Sequence, residues 1–299
     1  MNALTDRGSR PQSGLIEQVA SLEGLDADLV ERMRHEVLTA PGGWKAEYGE
    51  YQSGGWWTLS LLNATGDATD VTITDCEPVE TALLVRMPVT RQLLRGLGLR
   101  YMWARLAKLT SRSFLWEHRD YAELTGGRER HRLHIPLLTG SSAFLVVGGS
   151  RVHLASGRIW RLNPTYAHGA CNLLGPDRVH LVLDCYADER LSELMSAQYL
   201  PPEAVHPLPP LTDADATSHL RTAVGLATIG YLAEAERHLL GLFYAHAMPE
   251  GHSYELVATL HEQLDDEAGA EDWRARADVL LARRSTVRPA PGQPAAVAS

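Results

Sequence analysis

From Trp44 to Tyr186, short apolar runs alternate with Gly, Asn, Asp and Pro turns, as in "GGWWTLSLLNATGD", "AFLVVGGSRVHLASGRIWRLNP" and "DRVHLVLDCY". Enrichment in Val, Ile, Trp and Thr between frequent turn signals predicts the strands of an all-β sandwich or barrel. "VETALLVRMPVTRQLLRGL" (79–97) breaks the pattern and predicts a helical interruption. Ahead of the strands, residues 14–40 carry apolar residues at helical spacing and predict one or two helices. Beyond them, "PPEAVHPLPPL" (201–211) reads as a Pro-rich linker. Helices are then expected near 213–229, 231–247 and 252–284, where "AEAERHLLGLFYA" and "YELVATLHEQL" show the 3.6 period. No period repeats three times, so these helices read as a cap on the β domain rather than a repeat array. The expected organisation is a disordered start and N-terminal helices over 1–43, a β domain over 44–200, a helical domain over 201–284 and a disordered tail over 285–299.

Composition narrows the class. The 299 residues suffice for a sizeable core, and 44% hydrophobic with 22% charged residues is globular. A net charge of −9 lacks the electrostatic footprint of a nucleic-acid binder. Lys is confined to Lys45 and Lys108, so Arg carries nearly all positive charge, in a form suited to carboxylates. Three cysteines without a CxxC favour neither a disulfide framework nor a cysteine zinc site. No run approaches the ~20 apolar residues of a membrane span, and the polar N-terminus does not resemble a signal peptide. A reducing cytoplasm is the expected compartment.

Six of the thirteen histidines fall in the β segment. His118 and Asp120, in "FLWEHRDYAEL", are two apart, and on a strand both would point to one face. A histidine from a distant strand would complete two imidazoles and a carboxylate, the facial triad of non-haem Fe(II) oxygenases. His168, fifty residues on, follows a strand that ends in a Pro turn. Ten residues further, Arg178 opens an alternating strand, where a buried guanidinium would suit the distal carboxylate of 2-oxoglutarate.

With these four points, the blocks "HRDYAEL", "RLHIPL", "GRIWRLNPTYAH" and "RVHLVLD" resemble, in order, those of the aspartyl/asparaginyl β-hydroxylase family of Fe(II)/2-oxoglutarate dioxygenases. Within it the chain is most similar to amino-acid hydroxylases such as the bacterial L-proline cis-4-hydroxylases. The likeness runs from about residue 44 to near 284. It implies a mainly β chain: a double-stranded β-helix (jelly roll, cupin-like) core with N-terminal helices and a C-terminal helical domain. It implies Fe(II) on His118, Asp120 and His168, and 2-oxoglutarate anchored by Arg178, with O2 as cosubstrate. Arg132 and His134 match the family's R-x-H block as carboxylate-binding groups for cosubstrate, substrate or both. Arg105 is implied to face the pocket as a partner of the substrate carboxylate. Halogenases of this type lack the carboxylate corresponding to Asp120, so its presence favours hydroxylation.

The chain departs from the family pattern at Glu117, where Pro is frequent, and in a longer loop, "TGGRERH", that brings Arg128 and Arg130. Arg130 shares a face with Arg132 if the strand has begun there, as a second substrate anchor. Of the tryptophans near the expected substrate mouth, Trp56 is the candidate lining residue and the others pack. His153, His180 and Cys171 read as structural, and His131 should face away from Arg132. The helix histidines form no HExxH or other metal spacing. The expected activity is hydroxylation of an unactivated C–H of a small free amino or imino acid, in specialised metabolite biosynthesis. Oxidative cyclisation or desaturation with the same cofactors is the alternative, and a non-catalytic jelly-roll binding module the distant one. No nucleic-acid or membrane partner is expected.

Overall fold

The computed structural model of the protein describes residues 14–47, 53–121 and 128–281. The expected disordered start and tail lie outside these residues, as does most of the loop after Asp120. In chain order the elements are β1 (Val19–Gly24), α1 (Ala27–Leu38), β2 (Lys45–Ala46), β3 (Trp56–Asn63), β4 (Val79–Glu80), α2 (Ala82–Val85), α3 (Pro88–Leu97), β5 (Tyr101–Leu109), β6 (Ser113–His118), β7 (Arg130–Leu138), β8 (Ala143–Val147), β9 (Ser150–Val152), β10 (Arg158–Leu162), β11 (His168–Asn172), β12 (Arg178–Tyr186), α4 (Glu189–Met195), β13 (Val205–Pro207), α5 (Asp213–Thr228), α6 (Leu232–Gly241), α7 (His252–Gln263) and α8 (Glu267–Leu280).

Two antiparallel sheets face each other in a jelly roll. The major sheet runs β1-β10-β7-β12-β5-β3-β2, with β4 beside β3; the minor sheet runs β13-β9-β8-β11-β6. Period-2 alternation sorts the side chains of the major sheet. Leu59, Leu61, Ala104, Leu106, Leu133, Ile135, Leu181 and Leu183 point outward and form one apolar core with α1, α2 and α3. Trp56, Ala107, Leu109, Trp160 and Val182 point inward against Leu115, Leu145, Val147 and Ala170 of the minor sheet. The outer face of the minor sheet, with Phe114, Trp116, Phe144 and Val146, packs on the C-terminal helices through Leu239, Phe243, Tyr254 and Leu260.

Three elements differ from expectation. "VASLEG" is strand β1 rather than helix, paired antiparallel with β10. The edge of β10 offers unpaired backbone groups, and satisfying them outweighs a weak helical preference. The Pro-rich 201–211 segment is packed rather than loose: Val205–Pro207 adds to β9, and Ala204 and Leu208 are buried. The long third C-terminal helix is two, α7 and α8, separated at Asp265, which takes a left-handed φ of 56°, with Asp266 capping α8 through Gly269 N. The helical interruption at 79–97 is present as α2 and α3, the latter opening on Pro88 and closing on left-handed Gly98.

Candidate active site

The site lies between the sheets. His118 closes β6 and His168 opens β11, and the two are direct cross-strand partners with ring centroids 4.4 Å apart. Their pairing contains a β-bulge: His168 faces His118, but Ala170 faces Leu115, so β6 carries one extra residue. The extra residue reverses the alternation. Leu115 and His118 therefore both face the interior, whereas Phe114, Trp116 and Glu117 face the helices.

Asp120 lies beyond the end of β6 rather than on it. Its backbone N–H donates to the carbonyl of Pro164 (2.9 Å), which ties it to the turn leading into His168. Its carboxylate oxygens stand 3.7 Å from His118 Nε2 and 3.4 Å from His168 Nε2. All three side chains are buried, and one ligand atom from each lies within 4.8 Å of the others. The Nδ1 atoms of His118 and His168 are hydrogen-bonded to the carbonyls of Trp116 (2.7 Å) and Tyr166 (2.9 Å). That sets the tautomer and turns both Nε2 lone pairs toward Asp120. Burial, with His168 alongside, pulls His118 down to about 4, so its imidazole is neutral at physiological pH. Burial opposes ionisation of Asp120, but Arg132, His118 and His168 outweigh it and hold the carboxyl below the usual carboxylate range. Two imidazoles and one carboxylate, with no thiolate among them, fit a divalent iron.

The inward side chains of the major sheet form levels about 7 Å apart along the strands. Arg178 stands opposite Leu109, itself opposite Trp56. The next level holds His180, then His134 with Val182 and Arg105, then Arg132 with Asp184, and last Arg130 with Tyr186. Arg178 is buried, and its guanidinium sits 5.4 Å from the Trp56 ring centroid. Nη2 donates to His180 Nδ1 (3.1 Å), and His180 Nδ1 lies 3.4 Å from His134 Nδ1. Nη1 of Arg178, Nε2 of His134 and Nε2 of His180 have no hydrogen-bond partner among the described residues. Burial pulls Arg178 down to about 10, which leaves it charged at neutral pH and without a carboxylate beside it. A buried cation of this kind fits an anionic carboxylate that the fold itself does not supply.

The other expected residues are distributed differently. Arg132 reaches Asp120 (Nη1 to Oδ2, 2.5 Å) and Asp184 (Nε to Oδ1, 2.7 Å). Arg105 is completely buried, ion-paired with Asp184, and lies over the Trp103 ring (3.8 Å). Arg130 is on the inward face, paired with Asp75, and bonded to the Arg128 carbonyl (2.8 Å). It lines a cleft of about 640 Å³ that also reaches Asp120, Tyr121, Arg119 and Glu250. Trp56 belongs to the Arg178 level and not to this cleft. Asp184, Tyr121 and the Asp75–Tyr186 pair have no role assigned from the sequence, and His180, expected to be structural, contacts Arg178 and His134. The signal for Asp184 is present in "RVHLVLD": a carboxylate on the same strand face as Arg178 and His180. Glu117 turns away from the site toward the helices, whereas the Arg119 side chain pairs with Glu250 at the cleft. Gly251 N–H donates to Glu117 Oε2 (2.9 Å), Tyr254 OH to the Glu117 carbonyl (2.6 Å), and Arg119 N–H to Leu280 O (2.8 Å).

Comparison with known proteins identifies the family. The family described as aspartyl/asparaginyl beta-hydroxylase matches residues 25–188, more than half of the chain. The chain belongs to that family. It is a non-haem iron(II)- and 2-oxoglutarate-dependent oxygenase, with O2 as cosubstrate. Two curated relatives from Streptomyces, L-proline cis-3-hydroxylases 1 and 2, are 24% and 25% identical. They match over 87% and 74% of this chain and 93% and 80% of their own lengths. Both are proline cis-hydroxylases, as the resemblance implied, and their names put the hydroxyl at carbon 3. Among solved structures, an oxidoreductase of the 2OG-Fe(II) oxygenase family from Burkholderia pseudomallei aligns with a TM-score of 0.42 at 14% identity, covering 62% of this chain and 92% of its own. No helix among the described residues is long and apolar enough to cross a membrane.

Proposed function

We propose that this oxygenase hydroxylates a ring C–H of free L-proline or a close imino-acid analogue in the cytoplasm. Iron would be held by His118 Nε2, His168 Nε2 and Asp120, and the distal carboxylate of 2-oxoglutarate by Arg178. The observation that carries the reading is the pairing of the buried His118–Asp120–His168 cluster with a buried, charged Arg178 that has no carboxylate partner among the described residues. The contacts Arg178–His180–His134 run along the inward face toward the Arg132 level that touches Asp120, so a guanidinium stands at each end of this row.

Iron with 2-oxoglutarate and O2 supplies the oxidant for an unactivated C–H bond. The chain's own contribution is to bind, orient and keep water out. One O2 is consumed; one oxygen atom enters succinate, formed with CO2 from 2-oxoglutarate, and the other enters the product as hydroxyl. The two relatives that span most of the chain support an imino-acid substrate. The Arg-lined cleft next to Asp120 supports a substrate bearing a carboxylate.

The test is to load the protein anaerobically with Fe(II), 2-oxoglutarate and L-proline, admit air, and measure succinate and product mass. Proline-dependent succinate is expected, with a product heavier by one oxygen and no such signal from His168→Ala. A product lighter by two hydrogens would replace hydroxylation by desaturation or cyclisation. No succinate above the His168→Ala background, with proline or a panel of amino acids, would overturn the reading.

A further inference from the structure

We propose that Asp184 is a positioning residue for the iron ligand Asp120, and that it acts from two sides at once. This inference rests on the assignment of His118, Asp120 and His168 as the iron ligands.

Asp184 has no exposed surface and lies on β12, on the inward face. Its carboxylate has three partners: the Arg105 guanidinium, Arg132 Nε and the Tyr121 hydroxyl. Two of them lead to Asp120. Arg132 spends its other arm on Asp120 Oδ2, at 2.5 Å. Tyr121 is the next residue in the chain, and Asp184 holds its hydroxyl while the Arg132 guanidinium lies 5.4 Å from its ring centroid. Tyr121 takes a left-handed φ of 67°. For a bulky residue that conformation is costly and persists only where the surroundings impose it. The Tyr121–Asp184 hydrogen bond is such an imposition. It joins the backbone bonds of Arg119 and Asp120 in fixing the chain where it leaves β6.

The charges point the same way. Asp184 sits between Arg105 and Arg132, so Arg132 divides its attraction between two carboxylates. With Asp184 neutral, Arg132 would be drawn wholly to Asp120 and would compete with the metal for that oxygen. Residues that orient a metal ligand in this manner typically contribute 10- to 100-fold in affinity.

The experiment is anaerobic titration of the full-length apoprotein with Co(II), read by the visible d–d absorption, and with Fe(II), without 2-oxoglutarate. Asp184→Asn is expected to weaken metal binding by about 10-fold or more and to change the Co(II) spectrum. Tyr121→Phe removes one hydroxyl and is expected to weaken binding several-fold. The double variant should fall short of the product of the two effects, because both act through one carboxylate. Asp120→Ala and His168→Ala are run alongside. If these keep wild-type affinity, the iron-site assignment fails. If they lose it while folded Asp184→Asn binds Co(II) within twofold of wild type with an unchanged spectrum, the positioning role is overturned. Should Asp184→Asn not fold, Tyr121→Phe decides by the same criterion. A merely structural Asp184 would lower thermal stability and leave the Co(II) spectrum of the folded protein as it was.

Discussion

His118 and His168 stand directly opposite each other on neighbouring antiparallel strands, their ring centroids 4.4 Å apart. Each uses Nδ1 on the backbone carbonyl two residues before it and turns Nε2 to Asp120. Two of the three proposed iron ligands are thus one cross-strand pair, and its precision depends on the ladder between β6 and β11. Replacing either histidine by Ala should lower Fe(II) affinity by about 100-fold or more and abolish succinate production. Anaerobic Fe(II) titration and circular dichroism would show loss of binding with the fold retained.

Gly169 follows the second of these histidines. A Cβ there would lie 2.7 Å from Tyr244 Oη, 2.8 Å from Phe243 Cε1 and 3.0 Å from the Leu115 carbonyl. Gly169→Ala should therefore push the helical unit off β6 and β11. Overpacking of this kind costs about 1–3 kcal/mol. A lower midpoint in urea, together with weaker metal binding, is the expected result; unchanged values of both would contradict the packing described.

Arg178 lies beside Trp56 and His180. Arg178→Ala should raise the KM for 2-oxoglutarate at least about 10-fold, the cost of one charge-assisted pair in a buried site. Iron affinity should stay near wild type. A collapse of iron binding with an unchanged KM would invalidate the anchor assignment.

A different titration is expected in the helical unit. His261 lies between Asp266 (Nδ1, 2.7 Å) and Glu236 (Nε2, 2.8 Å). Burial works against its charged form, but the two carboxylates outweigh burial and raise its pKa. Since the folded value lies above the unfolded one of about 6.5, the contribution to stability is complete below that pH. It fades as pH rises through the raised folded value. The melting temperature should fall over this upper window, and His261→Gln should flatten the fall. A wild-type profile that rises there instead would show the sign to be wrong.

Tyr254 OH donates to the carbonyl of Glu117, next to the proposed iron ligand His118. Tyr254→Phe should cost about 1 kcal/mol of stability, since it leaves a buried carbonyl with one bond fewer. Equilibrium urea unfolding measures it.

Much of this was legible in the chain. Strand alternation separated the outward Leu133, Ile135, Leu181 and Leu183 from the inward Arg132, His134, His180 and Arg178, because the period of two is a property of the backbone itself. His118, Asp120, His168 and Arg178 stood out because few folds ask for these types at this spacing. Other features needed the third dimension. Val19–Gly24 became a strand because β10 presented an open edge, a fact about a segment some 140 residues away. His118 and Asp120 do not share a face as positions two apart on one strand. A bulge in β6 turns His118 inward, and Asp120 is reached after the strand has ended, with its backbone on Pro164. Arg105 and Arg132 carry the charge expected of substrate anchors, yet which carboxylate each one meets depends on β12 lying between their strands. Residue type and spacing follow from the local chain; the partner of a buried charge is chosen by strand order and register, which only the folded sheet defines.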